Sequence, residues 1–452
     1  MFLIARVRRH LEAHAASRLI ARSAVGMMAT LLVGMLLNLI ANAALARSMG
    51  VEQYGIYAYA FSWLMLLILP ARLGFDRTAN RFVAAYKALA QWGLLRGVIR
   101  YAAALTLAGS LIVGSSLAVA SSALAPAGAE VLTTTFYIAA AALPAWAFLS
   151  LTQGFFRALK RPVLAELPDR ILHPLCLLAT AGGFMLLAGA GPTAVEVMTV
   201  TAATGLAGCL FFAIMIRRLL PEPVQQAQPE YRRREWLRIS LPMLVISGSS
   251  ILYHRLDVIM VGALLGPVEA GIMAVAVRLS NVVSLGLTAT NPMVSSVVAE
   301  NYATRSIDKI QVSLRSASLL TTAITVAFAG AMILLGEPLL RLFGEQFTTA
   351  YVALVILTGG HIVNALCGSV NAVLTMTGHQ DRVAVIMLAS SLLNAALNVP
   401  LVLEFGVLGA AISTAVSVVV KNLVMLIAAR KLLGLDPSIG SALFGRRKLA
   451  AG

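Results

Sequence analysis

The sequence predicts an all-α polytopic membrane protein of twelve transmembrane helices, arranged as two parallel six-helix repeats around a central cavity. The first observation is composition. Hydrophobic residues make up 59% and charged residues 12%, whereas an average soluble domain has about 25% charged residues. The second is the recurrence of apolar runs that reach the roughly 20 residues needed to cross a bilayer core. The third is a glycine-rich turn that occurs twice. Because backbone polar groups in lipid must be paired within their own segment, these runs are expected to be helices.

One polar segment between the predicted spans is interpreted as a linker. This segment, RRLLPEPVQQAQPEYRRREW from Arg217 to Trp236, is basic and contains proline, so it separates six spans from six. The predicted divisions are a cytoplasmic interfacial segment 1–22, an N-terminal bundle 23–216, a cytoplasmic linker 217–238, a C-terminal bundle 239–432 and a cytoplasmic tail 433–452. The predicted spans are about 23–46, 55–73, 98–123, 131–155, 168–190, 193–216, 239–264, 270–297, 313–335, 349–376, 383–403 and 407–429.

The two halves share sequence features at equivalent places. GVEQYGIYAYA begins at Gly50 between spans 1 and 2, and GPVEAGIMAVA begins at Gly266 between spans 7 and 8. LTQGFFRALKRP from Leu151 and SVNAVLTMTGHQ from Ser369 likewise follow spans 4 and 10. The shift that takes Gly50 to Gly266 also maps six spans onto six, which indicates parallel repeats. Repeats of this kind place a substrate site at their interface, near the bilayer midplane, and one half moves against the other.

The distribution of lysine and arginine predicts the orientation. With the N-terminus in the cytoplasm, 29 of the 35 basic residues fall on the cytoplasmic side, in loops such as that between spans 2 and 3 or at the adjoining span ends. Such a bias follows the positive-inside rule and places both termini in the cytoplasm. The formal net charge of +16 is therefore mainly an orientation signal. Nucleic-acid binding is not expected, because the charges are scattered over short loops and form no basic folded face.

Soluble-enzyme chemistry is not indicated. The sequence contains no Walker loop, dinucleotide fingerprint or HExxH motif, so neither an enzyme nor a cofactor is predicted. Cys176, Cys209 and Cys367 lie in apolar runs without paired spacing and are interpreted as small buried hydrophobic residues, not as disulfides or metal ligands.

Ionisable residues at membrane depth provide the candidate site, because such residues are costly there and are usually functional. Arg255 precedes Gly266 by about three helical turns, and Arg278 follows it by a similar length of chain. At about 1.5 Å per residue, both reach the midplane of a core about 30 Å thick. We expect at least one of them to lack an intramembrane partner and to bind an anion, with phosphate the best match for guanidinium. In the alternative interpretation, Arg278 pairs with Asp257, and Arg255 snorkels or bonds to helix carbonyls.

Further polar residues are candidates for the cavity. Asp257 and His254 form a candidate proton or ion-coupling pair. Arg72, near the cytoplasmic end of span 2, is either a substrate-binding residue of a basic vestibule or a snorkelling anchor. The remaining candidates are polar residues within spans that could face the cavity: Asn281, Asn38, His361 and Lys421. Asn394 and Asn398 are interpreted as hydrogen-bonding contacts between helices.

Two long motifs give a family resemblance. LFGEQFTTAYVALVILTGGHIVNALCGSVNAVLTMTGHQ and SSLLNAALNVPLVLEFGVLGAAISTAVS, with the repeated turn and RLDVIMVGALLG, resemble the polysaccharide-flippase branch of the multidrug/oligosaccharidyl-lipid/polysaccharide (MOP) exporter superfamily. The resemblance implies a MOP/MATE-like fold and an inner-membrane flippase for O-antigen or exopolysaccharide synthesis. Its substrate would be an undecaprenyl-diphosphate-linked oligosaccharide, moved by alternating access. Membrane lipid, a polysaccharide polymerase and chain-length or export machinery are the candidate partners.

Three alternatives stay open at this point. A MATE-type cation or drug antiporter of the same superfamily would use cavity carboxylates, for which Asp257 is the candidate. A lipid II flippase also resembles this chain, although that group carries two further C-terminal spans. The third alternative is a non-transporting scaffold for a polysaccharide synthase. The sequence does not identify the glycan or the coupling ion.

Overall fold

The computed structural model describes residues 2–124, 128–187 and 189–444, with side chains for most residues from Gly26 onward. The described residues are helical almost throughout, which confirms the all-α class. In the first half the helices are α1 Phe2–Arg72, α2 Phe75–Ala88, α3 Trp92–Leu124, α4 Glu130–Ala158, α5 Pro162–Leu167, the π-helical turn Pro168–Leu172, α6 His173–Leu187, α7 Ala194–Leu219 and α8 Glu222–Gln226. In the second half they are α9 Arg233–Leu264, α10 Pro267–Val283, α11 Leu285–Ala303, α12 Ile307–Phe343, the 3₁₀ turn Glu345–Ala350, α13 Tyr351–Cys367, α14 Val370–Met376, α15 Gln380–Phe405, α16 Val407–Leu433 and α17 Ile439–Phe444.

Nine helical stretches of the described chain are long and apolar enough to cross a membrane, or ten when the pair α10 and α11, bent by 49°, is counted as one span. The first stretch, Gly26–Arg72, has 47 residues and contains Gly50 in a non-helical conformation (φ 77°, ψ 170°). At 1.5 Å per residue it would be about 70 Å long, more than twice the bilayer core. It therefore accounts for the predicted spans 1 and 2, and the break is the first glycine turn. The predicted span 7 corresponds to α9, which is not among these nine stretches. The count of twelve spans therefore stays a prediction.

The second glycine turn has the same kind of break. Gly266 has φ 110° and ψ 178° and directly precedes α10, which begins at Pro267. A positive φ is accessible to glycine at little cost, because glycine has no Cβ. The repeated glycines at Gly50 and Gly266 are thus required by backbone geometry.

Two predicted boundaries are wrong. The region between spans 2 and 3, predicted as a loop, contains the helix α2, whose buried face includes Phe75, Phe82 and Tyr86. Its basic residues lie on the opposite face, so a charge-rich stretch was mistaken for a loop. Span 10 ends at Cys367 instead of reaching 376, since Gly368 adopts φ 73° and a separate short helix, α14, follows.

The described chain forms two compact units. The first comprises the residues up to Leu45 and Leu67–Leu244, and the second comprises Ala46–Leu66 together with the chain from Val245 onward. The outer part of α1 on both sides of Gly50 therefore belongs with the second half of the sequence. The predicted division at the linker does not include this exchange.

The linker and the part of the tail that the structure describes, up to Phe444, are both packed structures and repeat one another. The predicted tail residues 445–452 lie outside the described residues. Pro221 and Pro437 are related by the same shift as the two glycine turns, and each precedes a short helix, α8 or α17. In the first unit the linker is held by Arg96, whose Nη1 donates to the carbonyl of Ala227 at 2.7 Å. In the second unit the side chain of Gln311 donates to the carbonyl of Asp436 at 2.7 Å and accepts from its amide at 2.8 Å. The repeat thus extends beyond the six spans to the segment that follows them.

Candidate substrate and coupling site

Arg255 lies against an aromatic face of the second unit. Its guanidinium carbon is 5.5 Å from the ring centroid of Phe61, which belongs to the segment Ala46–Leu66 of the same unit. Phe61 is stacked on Tyr57, with 5.7 Å between ring centroids. A cation over an aromatic ring is attracted by the ring quadrupole, most strongly where water is excluded. The contact with Phe61 is thus one interaction that holds the guanidinium of Arg255 in place.

Arg278 lies along the same face. Tyr54 is fully buried, interacts electrostatically with Arg278 and packs edge-on against Phe347 at 5.7 Å. The residues at 54, 57 and 61 have helical i, i+3, i+7 spacing and share one side of their helix. These three rings form an aromatic stripe about 10 Å long at 1.5 Å per residue. Arg255 contacts the stripe at Phe61, and Arg278 interacts electrostatically with Tyr54.

Both arginines have interactions within the protein, so the expectation that one of them lacks any partner is wrong. The prediction considered carboxylates as partners for these arginines and did not consider aromatic rings. Each of the two arginine residues is half-buried. Guanidinium groups suit phosphate, because their planar N–H donors bind its oxygens in pairs.

Asp257 lies in a separate polar cluster inside the same unit. It is 4% exposed and accepts a hydrogen bond from Asn398 Nδ2 at 3.3 Å, and it also bonds to the side chains of Thr414 and Asn394. Asn394 Nδ2 donates to Thr414 Oγ1 at 3.1 Å, and Asn398 Nδ2 also approaches Asn394 Oδ1 at 2.9 Å. The cluster joins α9, α15 and α16 through buried side chains.

The chemistry of this cluster suits a small hard cation. Asn398 Oδ1 is buried and accepts no hydrogen bond, which leaves an oxygen oriented into the protein without a donor. Hard cations prefer oxygen ligands such as carboxylate, amide and hydroxyl groups. One carboxylate supplies a single negative charge, which matches a monovalent ion or a proton. In the described part of the chain, no group of three His, Cys, Asp or Glu residues could hold a metal ion.

Arg72 is placed differently from its predicted role. The side chain is buried in the first unit, pairs with Asp76 at 3.5 Å and donates from Nη1 to Ser150 Oγ. A buried ion pair with a second side-chain partner stabilises the packing of α4 against the end of α1. We therefore revise both earlier interpretations, as a substrate-binding residue and as a snorkelling anchor, to a structural one.

The other candidate residues have mixed positions. Asn38 accepts hydrogen bonds from Asn42 through its carbonyl and side-chain oxygens at 2.7 and 3.4 Å. Asn281, His361 and Lys421 are half-buried on α10, α13 and α16. The side chain of His254 lies outside the described part of the structure, so its proposed pairing with Asp257 stays a prediction.

Two buried polar clusters were missed in the sequence. Asn394 and Asn398 were assigned to helix packing alone, although their i, i+4 spacing placed both amides on one face of α15. The buried carboxylate of Glu166, which binds Arg157 at 2.7 Å and Arg170 at 3.2 Å, was not considered at all. Arg170 lies in the π-helical turn that interrupts span 5, and nothing in the sequence indicates such a turn.

Solved structures share this fold at low sequence identity. An inward-facing multidrug resistance MATE family transporter of the MOP superfamily matches with a TM-score of 0.73 and 16% identity, over 90% of this chain and 97% of that chain. The lipid II flippase MurJ, in an inward closed conformation, matches with a TM-score of 0.69 and 14% identity, over 89% and 87%. The molecule is thus a multi-pass membrane protein with the helical fold of the MOP superfamily.

Sequence comparison identifies the family of proteins within this fold. The chain belongs to the polysaccharide biosynthesis protein family, whose model matches residues 20–299. The MatE family model also matches residues 242–399. The probable low-salt glycan biosynthesis flippase Agl15 of Haloferax volcanii is 30% identical over 203 residues, which are 43% of this chain and 42% of that relative. The match therefore spans less than half of the relative's length. The resemblance to the polysaccharide branch of the MOP superfamily is confirmed.

Proposed function

We propose that this protein is a flippase for undecaprenyl-diphosphate-linked oligosaccharides in O-antigen or exopolysaccharide synthesis. It would work in the bacterial inner membrane by alternating access of its two repeats, with both termini in the cytoplasm. The observation that carries the proposal is the pair Arg255 and Arg278 on one aromatic stripe, within the fold of a polysaccharide biosynthesis family. The relative Agl15 supports a glycan flippase by its name.

The stripe has the chemistry that such a substrate requires. A diphosphate carries adjacent anionic oxygens, which guanidinium groups bind through paired N–H donors. In the proposed complex, Arg255 and Arg278 hold the diphosphate, the prenyl chain stays in lipid, and the glycan crosses the membrane with the diphosphate. Phe61 and Tyr54 keep the two arginines oriented when no substrate is bound.

The buried cluster around Asp257 is proposed as the coupling site. A bound cation would interact with Asn398 Oδ1, which accepts no hydrogen bond, and with the Asp257 carboxylate. These contacts would draw α9, α15 and α16 together. Because α9 carries both Asp257 and Arg255, a movement of this helix on cation binding would be transmitted to the substrate site. A proton or a monovalent metal ion would be the co-substrate.

The test is transport by the purified protein in liposomes with a fluorescent lipid-linked oligosaccharide. We expect R255Q/R278Q to abolish transport while the protein still inserts and purifies as the wild type does. R305Q/R382Q removes two exposed arginines of the second unit and should transport normally. Unchanged transport by R255Q/R278Q would refute the assignment of the diphosphate site.

The match of the MatE model to residues 242–399 favours one second candidate, a cation or drug antiporter. This segment contains Asp257, a carboxylate that an exported cation could exchange with. Drug-resistance assays in a strain lacking its own exporters would separate the two functions. An antiporter should confer resistance that D257N abolishes, whereas a glycan flippase should confer none.

A further inference from the structure

Three consecutive arginines line a surface cavity at the start of α9. The cavity, of about 540 Å³, is formed by Tyr231, Arg232, Arg233, Arg234 and Glu235. We call these five residues the arginine collar. All three arginines are exposed. Glu235 is the one carboxylate among them and approaches Arg232 at 3.5 Å. Three arginines and one glutamate therefore give the collar a net charge of +2.

The central guanidinium of the collar is held in a fixed place. The guanidinium carbon of Arg233 lies 5.2 Å from the ring centroid of Tyr231 and 5.9 Å from that of Tyr101. Contact with two aromatic rings restricts a side chain that otherwise has many rotamers. In the described structure, Arg234 forms neither a hydrogen bond nor an ion pair. One arginine is thus oriented in advance, and a neighbouring one has its donors available.

A buried aromatic support lies directly beneath the collar. Trp236 is fully buried, donates from Nε1 to Tyr86 Oη at 3.0 Å and packs against Tyr101 at 5.7 Å. Glu230, just before the collar, donates its backbone amide to the carbonyl of Gly93 at 3.0 Å. The segment is therefore anchored to α2 and α3 on both sides, and the arginines project from a rigid base.

An exposed leucine follows the collar along α9 at a spacing that suits the headgroup level of a bilayer. Leu241, eight residues after Arg233, is 51% exposed on α9, and Leu210 is 64% exposed on α7, eight residues before Arg218. Eight helical residues correspond to about 12 Å, so each arginine is one interfacial layer away from a lipid-facing leucine. The positive-inside pattern assigns this level to the cytoplasmic leaflet, where anionic lipids attract basic segments by about 1 kcal/mol per arginine.

We propose that the arginine collar is a binding site for the phosphate headgroup of an anionic phospholipid of the inner leaflet. Arg233 and Arg234 hold the phosphate, and Tyr231 orients Arg233. The site lies at the linker between the two repeats and does not involve the cargo, so the proposal holds whichever substrate is transported. A lipid bound there stabilises the first unit at the point where the chain leaves it.

The test is a lipid titration of the full-length protein in phosphatidylcholine micelles. Binding of phosphatidylglycerol is followed by thermal shift, and bound lipids are counted by native mass spectrometry. From about 1 kcal/mol per arginine, R232Q/R233Q/R234Q should weaken binding on the order of 100-fold. The control K309Q/R382Q/K431Q removes three exposed charges from the second unit and should change affinity by less than about threefold, since isolated exposed charges contribute little. Equal weakening by both triples would overturn the proposal in favour of diffuse surface charge.

Two further experiments test the orientation of Arg233 and the identity of the bound phosphate group. Y231L keeps every charge and removes one ring from Arg233, and it should weaken phosphatidylglycerol binding about fivefold. An unchanged affinity would contradict the assignment of Arg233 as the oriented donor. Inorganic pyrophosphate should compete only at concentrations far above those of the lipid. Competition at equal concentrations would show a site for soluble or substrate diphosphate and would overturn the assignment to a membrane phospholipid.

Discussion

Gly55 and Gly271, which occupy equivalent positions in the two repeats, contact each other inside the second unit. A Cβ built on Gly271 would lie 2.8 Å from the Cα of Gly55, and a Cβ on Gly55 would overlap the carbonyl of Pro267. The repeated motif thus forms a contact between its own two copies. Small residues permit such close approach of helix backbones in membrane proteins.

Alanine at either of these glycines should destabilise the protein. The added methyl group meets backbone atoms, which cannot rotate away, so we expect a loss of about 1–3 kcal/mol for G55A or G271A. The measurement is the thermal unfolding of the purified protein. G359A is the matched control, because Gly359 is helical and a Cβ there would have open space around it. The double variant should lose less than the sum of the singles, since both methyl groups disturb one contact; strict additivity would contradict this account.

Removal of the ring beneath Arg255 should impair transport without altering charge. We expect F61L to lose about 1 kcal/mol of cation–π stabilisation, which corresponds to roughly fivefold slower transport. F61Y retains a ring and should keep most of the activity. The liposome assay with labelled lipid-linked oligosaccharide measures both variants. Equal rates for F61L and wild type would show that the ring does not position Arg255.

The Asp257 cluster should control the cation dependence of transport. D257N removes the negative charge and should abolish the acceleration of transport by an imposed sodium or proton gradient. N398L removes Oδ1 and should weaken that dependence at least tenfold. N422A is the control, because Asn422 is also buried on α16 but donates to the carbonyl of Val418. It should reduce stability and leave the gradient response intact; a lost response would mean that the assay reports stability alone.

Arg72 and Asp76 should behave as a buried pair. Breaking it in R72Q or D76N leaves an uncompensated charge, and we expect a loss of about 3–5 kcal/mol for each single variant. R72Q/D76N should be more stable than either single. At the exposed pair of Arg341 and Glu337, with 2.8 Å between the charged atoms, R341Q should cost less than about 1 kcal/mol. Chemical unfolding in detergent measures all four. A full loss of transport by R72Q at wild-type stability would restore Arg72 as a substrate-binding residue.

The docked tail should contribute to the stability of the second unit. Leu435 is fully buried among residues of α11, α12 and α14, so L435A should cost about 2–4 kcal/mol. L443A alters a leucine that is 62% exposed and should be neutral. Limited proteolysis should cleave L435A faster near α17. A tail that is equally protected in both variants would show that Leu435 does not hold it.

Most of the fold could be predicted from the sequence, because lipid restricts the choice. Apolar runs in a bilayer must be helices, and the two glycine turns revealed the repeat. The helix α2 could not be recognised, since its amphipathic pattern resembles a polar loop when only hydropathy is considered. The burial of Arg72 was also hidden, because its partners Asp76 and Ser150 are brought together by the packing of α4.

The candidate site could be predicted only in part from the sequence. Counting helical turns to Gly266 predicts the depth of Arg255 and Arg278 in the membrane. The aromatic stripe could not be predicted, because Tyr54 and Phe61 belong to the first half of the sequence and interact with these arginines only through the exchange of Ala46–Leu66 into the second unit.

The membership of Ala46–Leu66 in the second unit bears on how the gene can be divided. A fragment beginning at Val245 would lack the strip of helix that covers Gly271 and the ring of Phe347. Split halves expressed separately should therefore aggregate, whereas co-expression should restore a functional molecule. An ancestral half-length protein with this turn would have met the same requirement by pairing with a second copy of itself.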